Sequence, residues 1–98
     1  MPNNEMKFEE SFDFDLVHKV MSHQEFDLIK NKSALSHREV CFLFCTGYKF
    51  FILFHQRRVA GILYMTPEVD GNRLVSIFIF KKYRGPQAIN ATRKQTSL

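Results

Sequence analysis

Apolar and polar positions change period part-way along the chain. From Asp13 to Met21, Phe14, Val17, Val20 and Met21 recur at helical spacing, which predicts an amphipathic helix. Ser22-His23-Gln24-Glu25 then has the arrangement of a capping box, with Ser22 as the cap and Glu25 reaching back. A second helix is therefore expected from His23 to about Lys30, burying Phe26 and Ile29, with a polar connector over Asn31 to Ser36. From Val40 onward the apolar residues run together as strands do: Val40 to Thr46, Phe50 to His55, Val59 to Met65 and Leu74 to Phe80. Thr46-Gly47, Gln56-Arg57-Arg58 and Glu68-Val69-Asp70-Gly71-Asn72 supply the turns between them. Lys7 to Phe12 reads as an edge strand, charged at Glu9 and Glu10. Two helices before a mostly antiparallel sheet and one helix after it predict a single α/β domain over residues 1–98, built as an α+β sandwich. No internal repeat or linker interrupts it.

In Leu74 to Phe80 one face carries Leu74, Ser76, Phe78 and Phe80, and the other carries Val75, Ile77 and Ile79. Both are apolar, which predicts a central strand covered on each side. The turn Tyr83-Arg84-Gly85-Pro86-Gln87-Ala88-Ile89 follows, with Pro86 suited to a first helical turn where its missing N–H is harmless. A strand that ends in a glycine-bearing turn and opens a helix can hold a phosphate on backbone N–H groups. Beyond it, residues 92–98 lack apolar periodicity until Leu98 and read as a fraying helix end or a disordered tail.

This succession of strand, reverse turn, Val59-Ala60-Gly61 strand, acidic loop, apolar strand and Tyr83-Arg84-Gly85 turn resembles the core of the GNAT acyltransferases, over roughly Val17 to Ile89. The family's turn usually reads Arg-x-x-Gly-x-Gly or Ala. Here Arg84 takes its first position, Gln87 the middle glycine and Ile89 the last small residue; the looser Tyr-Arg-Gly-x-x-Ala form is similar to that of many phage-encoded and prophage-encoded members. The resemblance implies acetyl-CoA, or CoA, as cofactor and transfer of an acetyl group to an amine or protein acceptor. It implies that the main chain of Phe78 and Ile79 meets the pantetheine arm. Arg84 and the backbone of Gly85, Gln87, Ala88 and Ile89 would hold the pyrophosphate.

Acetyl transfer needs a base for the amine and stabilisation of the charged carbonyl oxygen. Glu68, Asp70 and His55 are the nearby candidates for a base. Turn and edge positions account for all three, so no catalytic residue is assigned. Family members normally continue past the phosphate helix with further strands and a helix, so 98 residues point to a natural minimal form, a truncation or half of an assembly. An uncovered sheet edge near Phe78 would then favour self-association or a protein partner. The alternative function is a non-catalytic interaction protein on a shortened GNAT fold, such as a phage or mobile-element product binding a host or virion protein.

Composition changes this picture little. The chain is 45% hydrophobic, with 11 phenylalanines and no tryptophan, and its longest apolar runs fall far short of the ~20 residues that span a bilayer. The polar, acidic start from Met1 to Glu10 is unlike a secretory signal, so a cytoplasmic setting is expected and the sequon Asn90-Ala91-Thr92 carries no meaning. On a strand, Cys41 and Cys45 would lie about 13 Å apart at ~3.3 Å per residue, too far for a disulfide or a shared metal. They read as buried small hydrophobes, though a helix would give them the spacing of a shared ligand. His18, His23 and His37 lack ligand spacing and read as surface residues. The net charge of +4 includes Arg57, Arg58, Lys81, Lys82, Arg84, Arg93 and Lys94, a basic set suited to a polyphosphate cofactor. Without an RNA-binding signature, nucleic acid is not an expected partner.

Overall fold

The computed structural model describes residues 6–23 and 36–96. Strand β1 (Met6–Glu10) leads to helix α1 (Phe14–Met21), then α2 (His37–Cys45) and strands β2 (Lys49–His55), β3 (Arg58–Met65) and β4 (Val75–Ile79). A 3-10 turn at Lys81–Tyr83 precedes α3 (Pro86–Thr96). The strands form one antiparallel sheet in the order β1-β2-β3-β4, a small α+β architecture. β1 sits at an edge, as its charges suggest. The second helix expected near Lys30 falls on residues outside the described ones. Glu25 of the expected capping box also lies outside the described residues; Ser22 closes α1, its N–H donating to the His18 carbonyl at 2.9 Å.

The run from Val40 to Thr46 is a correction: it is helix, not strand. Ser36 and Glu39 form a reciprocal capping box, the Ser36 hydroxyl accepting from the Glu39 N–H at 3.2 Å and the Glu39 carboxylate from the Ser36 N–H at 3.1 Å. Val40, Leu43 and Phe44 then share one face at helical spacing and meet the core. An unbroken apolar run fits either period, and here capping and packing choose the helix. Cys41 and Cys45 are therefore one helical turn apart, and neither is buried: Cys41 is half-buried and Cys45 exposed.

The same capping box holds the Glu39 carboxyl below its usual range, first through the Ser36 backbone N–H and then through its hydroxyl. A depressed carboxylate stabilises the fold above its unfolded value, and that contribution disappears as pH falls through the folded value. The Ser36 amide resonance is thus expected to titrate below the ordinary glutamate midpoint, and the step should vanish in Glu39→Gln. An NMR pH titration in which both proteins behave alike would contradict this.

Each face of the sheet has its own core. On one, Phe50, Ile52, Ile62 and Phe78 pack under Val17, Val20 and Met21 of α1 and Val40 of α2. On the other, Met6, Phe8, Leu53 and Leu63 pack under Ala88 and Ala91 of α3. Ala88 and Ala91 are three residues apart and small, so the helix lies close to the strands. α3 continues to Thr96 through most of the segment that reads as a fraying end.

β4 is the second correction. Among the described residues it pairs only with β3 and forms the other edge of the sheet, with Val75 44% and Leu74 76% exposed. Its two apolar faces arise because Phe78 and Phe80 serve one core and Ile77 and Ile79 the other. They do not arise from strands on either side.

Candidate ligand site at the end of the fourth strand

Hydrogen-bond parity fixes what the β4 edge offers. The Thr66 N–H donates to the Leu74 carbonyl at 3.0 Å, and the Phe80 N–H donates to the Ala60 carbonyl at 2.9 Å. Ile62 faces Phe78 and Tyr64 faces Ser76 in the same register. Bonded pairs alternate in an antiparallel ladder, so Ser76 and Phe78 direct their main chain to β3, whereas Val75, Ile77 and Ile79 direct theirs outward. This divides the sequence expectation for the pantetheine strand. Ile79 faces the edge; the Phe78 main chain is committed to β3, and Ile77 is the neighbour that shares the open side.

From Ile79 the chain turns at once. The Tyr83 N–H donates to the Phe80 carbonyl at 2.8 Å, and the Arg84 Nε donates to the Ile79 carbonyl at 2.8 Å, folding the guanidinium against the strand end. The first intrahelical bond of α3 runs from the Ile89 N–H to the Gly85 carbonyl at 3.1 Å. Ile89 therefore has no amide to offer a phosphate, while Gln87 and Ala88 precede that bond and keep the N–H groups every helix start leaves over. Its two chain neighbours aside, no atom lies within 4 Å of the place a Gly85 side chain would occupy, so the turn itself is open, whereas Ala88 is buried against the sheet. Of the predicted residues, Ile79, Arg84, Gly85, Gln87 and Ala88 meet at one place. Lys94, two helical turns further along α3, lines a small cavity together with Gln87 and with Met6 of β1.

Beside the turn is a cavity of about 400 Å³. Leu16, Val20, Val59 and Phe80 give it apolar walls, and Lys19, His23, Lys82 and Tyr83 ring it with polar groups. His23 stands edge-on to Phe80 at 4.6 Å, and Lys82 places its ammonium 5.5 Å from the centre of the Tyr83 ring. Sequence reading missed this constellation, although Leu16, Lys19 and Val20 share one face of α1 and His23 follows just beyond its end. Of the candidate bases, only His55 comes to this end, its ring edge-on to Tyr83 at 5.7 Å. Its Nε2 is buried and has no hydrogen-bond partner among the described residues, so it does not reach a substrate from where it stands. Glu68 and Asp70 lie in the β3–β4 loop, at the opposite end of β4.

Among the described residues no group of His, Cys, Asp and Glu is placed to hold a metal ion. No helix there is long and apolar enough to cross a membrane. Comparison with protein-family models, curated proteins and solved structures returns no match. The site's meaning rests on its geometry.

Proposed function

We propose that the chain binds acetyl-CoA, with the pantetheine arm along the outer edge of β4 and the pyrophosphate at the start of α3. The observation that carries this reading is continuity: the outward main chain of Ile77 and the outward N–H of Ile79, whose carbonyl accepts from Arg84, lead into the glycine turn and to Gln87 and Ala88, whose amides precede the first intrahelical bond. An extended amide-bearing arm and a diphosphate are recognised by those two kinds of backbone group in that order. Lys81, Lys82 and Arg84 add positive charge at the phosphate end. The order of elements, helices on one face and the last helix on the other, supports the resemblance to the first half of a GNAT fold. Acetyl transfer to an amine is the reaction this implies.

Calorimetric titration with acetyl-CoA tests the proposal. Stoichiometric binding is expected, weakened by about 1–3 kcal/mol in Arg84→Ala, the scale of a charge-assisted hydrogen bond. Gly85→Glu should abolish it through bulk and like charge, and Gln87→Gly should retain it. Absence of binding by the unmodified protein sinks the reading.

The exposure of Leu74 and Val75 favours a second reading, in which a strand of another chain pairs with β4. That partner would be a second copy or a host or virion protein. Sedimentation at tens of micromolar should then show self-association; a monodisperse monomer would count against a second copy.

A further inference from the structure

Away from β4, the first turn of α1 and the first two turns of α2 bring three side chains of complementary chemistry into a row. Asp15 Oδ1 lies 2.8 Å from His37 Nε2, and His37 Nδ1 lies 3.8 Å from Cys41 Sγ. His37 and Cys41 are four residues apart and so share one side of α2. Phe14 stands edge-on to the imidazole at 6.5 Å and His18 at 5.8 Å, which hold the ring from the α1 side. The His37 side chain is 50% exposed and Cys41 is half-buried, so a small molecule can reach the sulfur.

We propose that Cys41 is a nucleophilic thiol, with His37 as its base and Asp15 as the group that orients the base, and that its substrates are small-molecule disulfides. With the Nε2–H donated to Asp15, Nδ1 keeps the lone pair that accepts the thiol proton. The sulfur then attacks one sulfur of R–S–S–R. A new S–S bond joins Cys41 to one R–S group, the original S–S bond breaks, and the departing thiolate takes the proton back from His37. The products are a mixed disulfide on Cys41 and one free thiol, so no further oxidant enters. Cys45, a turn away on the same helix and more exposed, is the internal comparison; exposure alone would make it the faster of the two.

Incubation with oxidised glutathione near neutral pH, followed by peptide mass mapping of both cysteines over time, tests this. Cys41 is expected to form the mixed disulfide about tenfold faster than Cys45, below the usual range for an enclosed general base because His37 is open to water. His37→Gln should remove that advantage and Asp15→Asn should reduce it, with circular dichroism checking that the helices persist. A Cys41 rate at or below that of Cys45, or an advantage that survives His37→Gln, overturns the proposal. An Asp15→Asn rate equal to that of the parent protein overturns the orienting role of Asp15.

Discussion

Phe50→Ala is expected to destabilise the protein by about 4 kcal/mol, in the range found for removing a large aromatic from a core. Phe50 is completely buried in β2, and its ring meets Phe44 of α2 at 4.7 Å, Tyr64 of β3 at 6.0 Å and Tyr48 at 6.4 Å. Phe44 in turn meets Phe14 at 4.6 Å, so a single side chain ties the sheet to α2 and, through it, to the start of α1. Deleting the ring leaves a cavity bordered by separate elements, which cannot all close on it. A domain of this size has only about 5–15 kcal/mol of total stability, so the variant should lose a large share of its denaturation midpoint. Phe50→Leu keeps most of the volume and should lose less than half as much. Urea unfolding that finds Phe50→Ala within about 1 kcal/mol of the parent would show that the aromatic cluster does not hold the two layers together.

Gly61→Ala is expected to lose about 2–3 kcal/mol, an overpacking effect whose cause lies in main chain. Gly61 faces Ile79 in the pair where antiparallel strands come closest. A methyl group there would collide with the Phe78 carbonyl oxygen and stand 2.9 Å from the Ile79 Cα, and backbone cannot swing aside as a side chain would. β4 must therefore move off β3. Since β3 is the one strand that pairs with β4 among the described residues, the β4 amides should exchange faster while those of the β1–β2 pair change little. Gly85→Ser provides the contrast: the space is open and serine suits a helix cap, so its stability should stay within about 0.5 kcal/mol of the parent. Uniform exchange across the sheet in Gly61→Ala would contradict the local account.

If acetyl-CoA binds along β4, the same substitution should weaken it, because the outward groups of Ile77 and Ile79 depend on where the strand lies. The thiol chemistry proposed for Cys41 is independent of that site. It draws on α1 and α2, and its test reads a rate at one sulfur.

The strands β2, β3 and β4, the helix α1 and the helix after Pro86 could be read along the chain because the information for each is local. Asp13 caps α1, accepting from the Leu16 N–H at 3.1 Å, and the apolar period of α1 spans two turns that must face one way. Gln56 and Arg57 hold positive φ angles of 50° and 68°, as a two-residue hairpin requires, and Asp70-Gly71 does the same in the next loop at 53° and 80°. The α2 segment misled because Val40 to Cys45 is apolar at every position, and a period cannot be read from a run without gaps. The signal that could have found it was present: Ser36-His37-Arg38-Glu39 has the same form as Ser22-His23-Gln24-Glu25 and stands directly before the run.

What the chain alone could not convey concerns partners distant in sequence. The apolar faces of Leu74 to Phe80 record that both sides are covered, and they hold no information on how many strands lie alongside; only assembly of the sheet places β4 at an edge and turns Ile79 outward while Phe78 bonds to β3. The meeting of Asp15 with His37, and of Lys19 and His23 with Lys82 and Tyr83, likewise depends on how helices settle on the sheet. By itself the sequence determined the local elements, their turns and the amides left over at the start of α3, since these follow from neighbours within a few residues. Tertiary structure decided which groups face each other, because packing is selected by burial summed over the whole chain, and no short stretch of residues carries that sum.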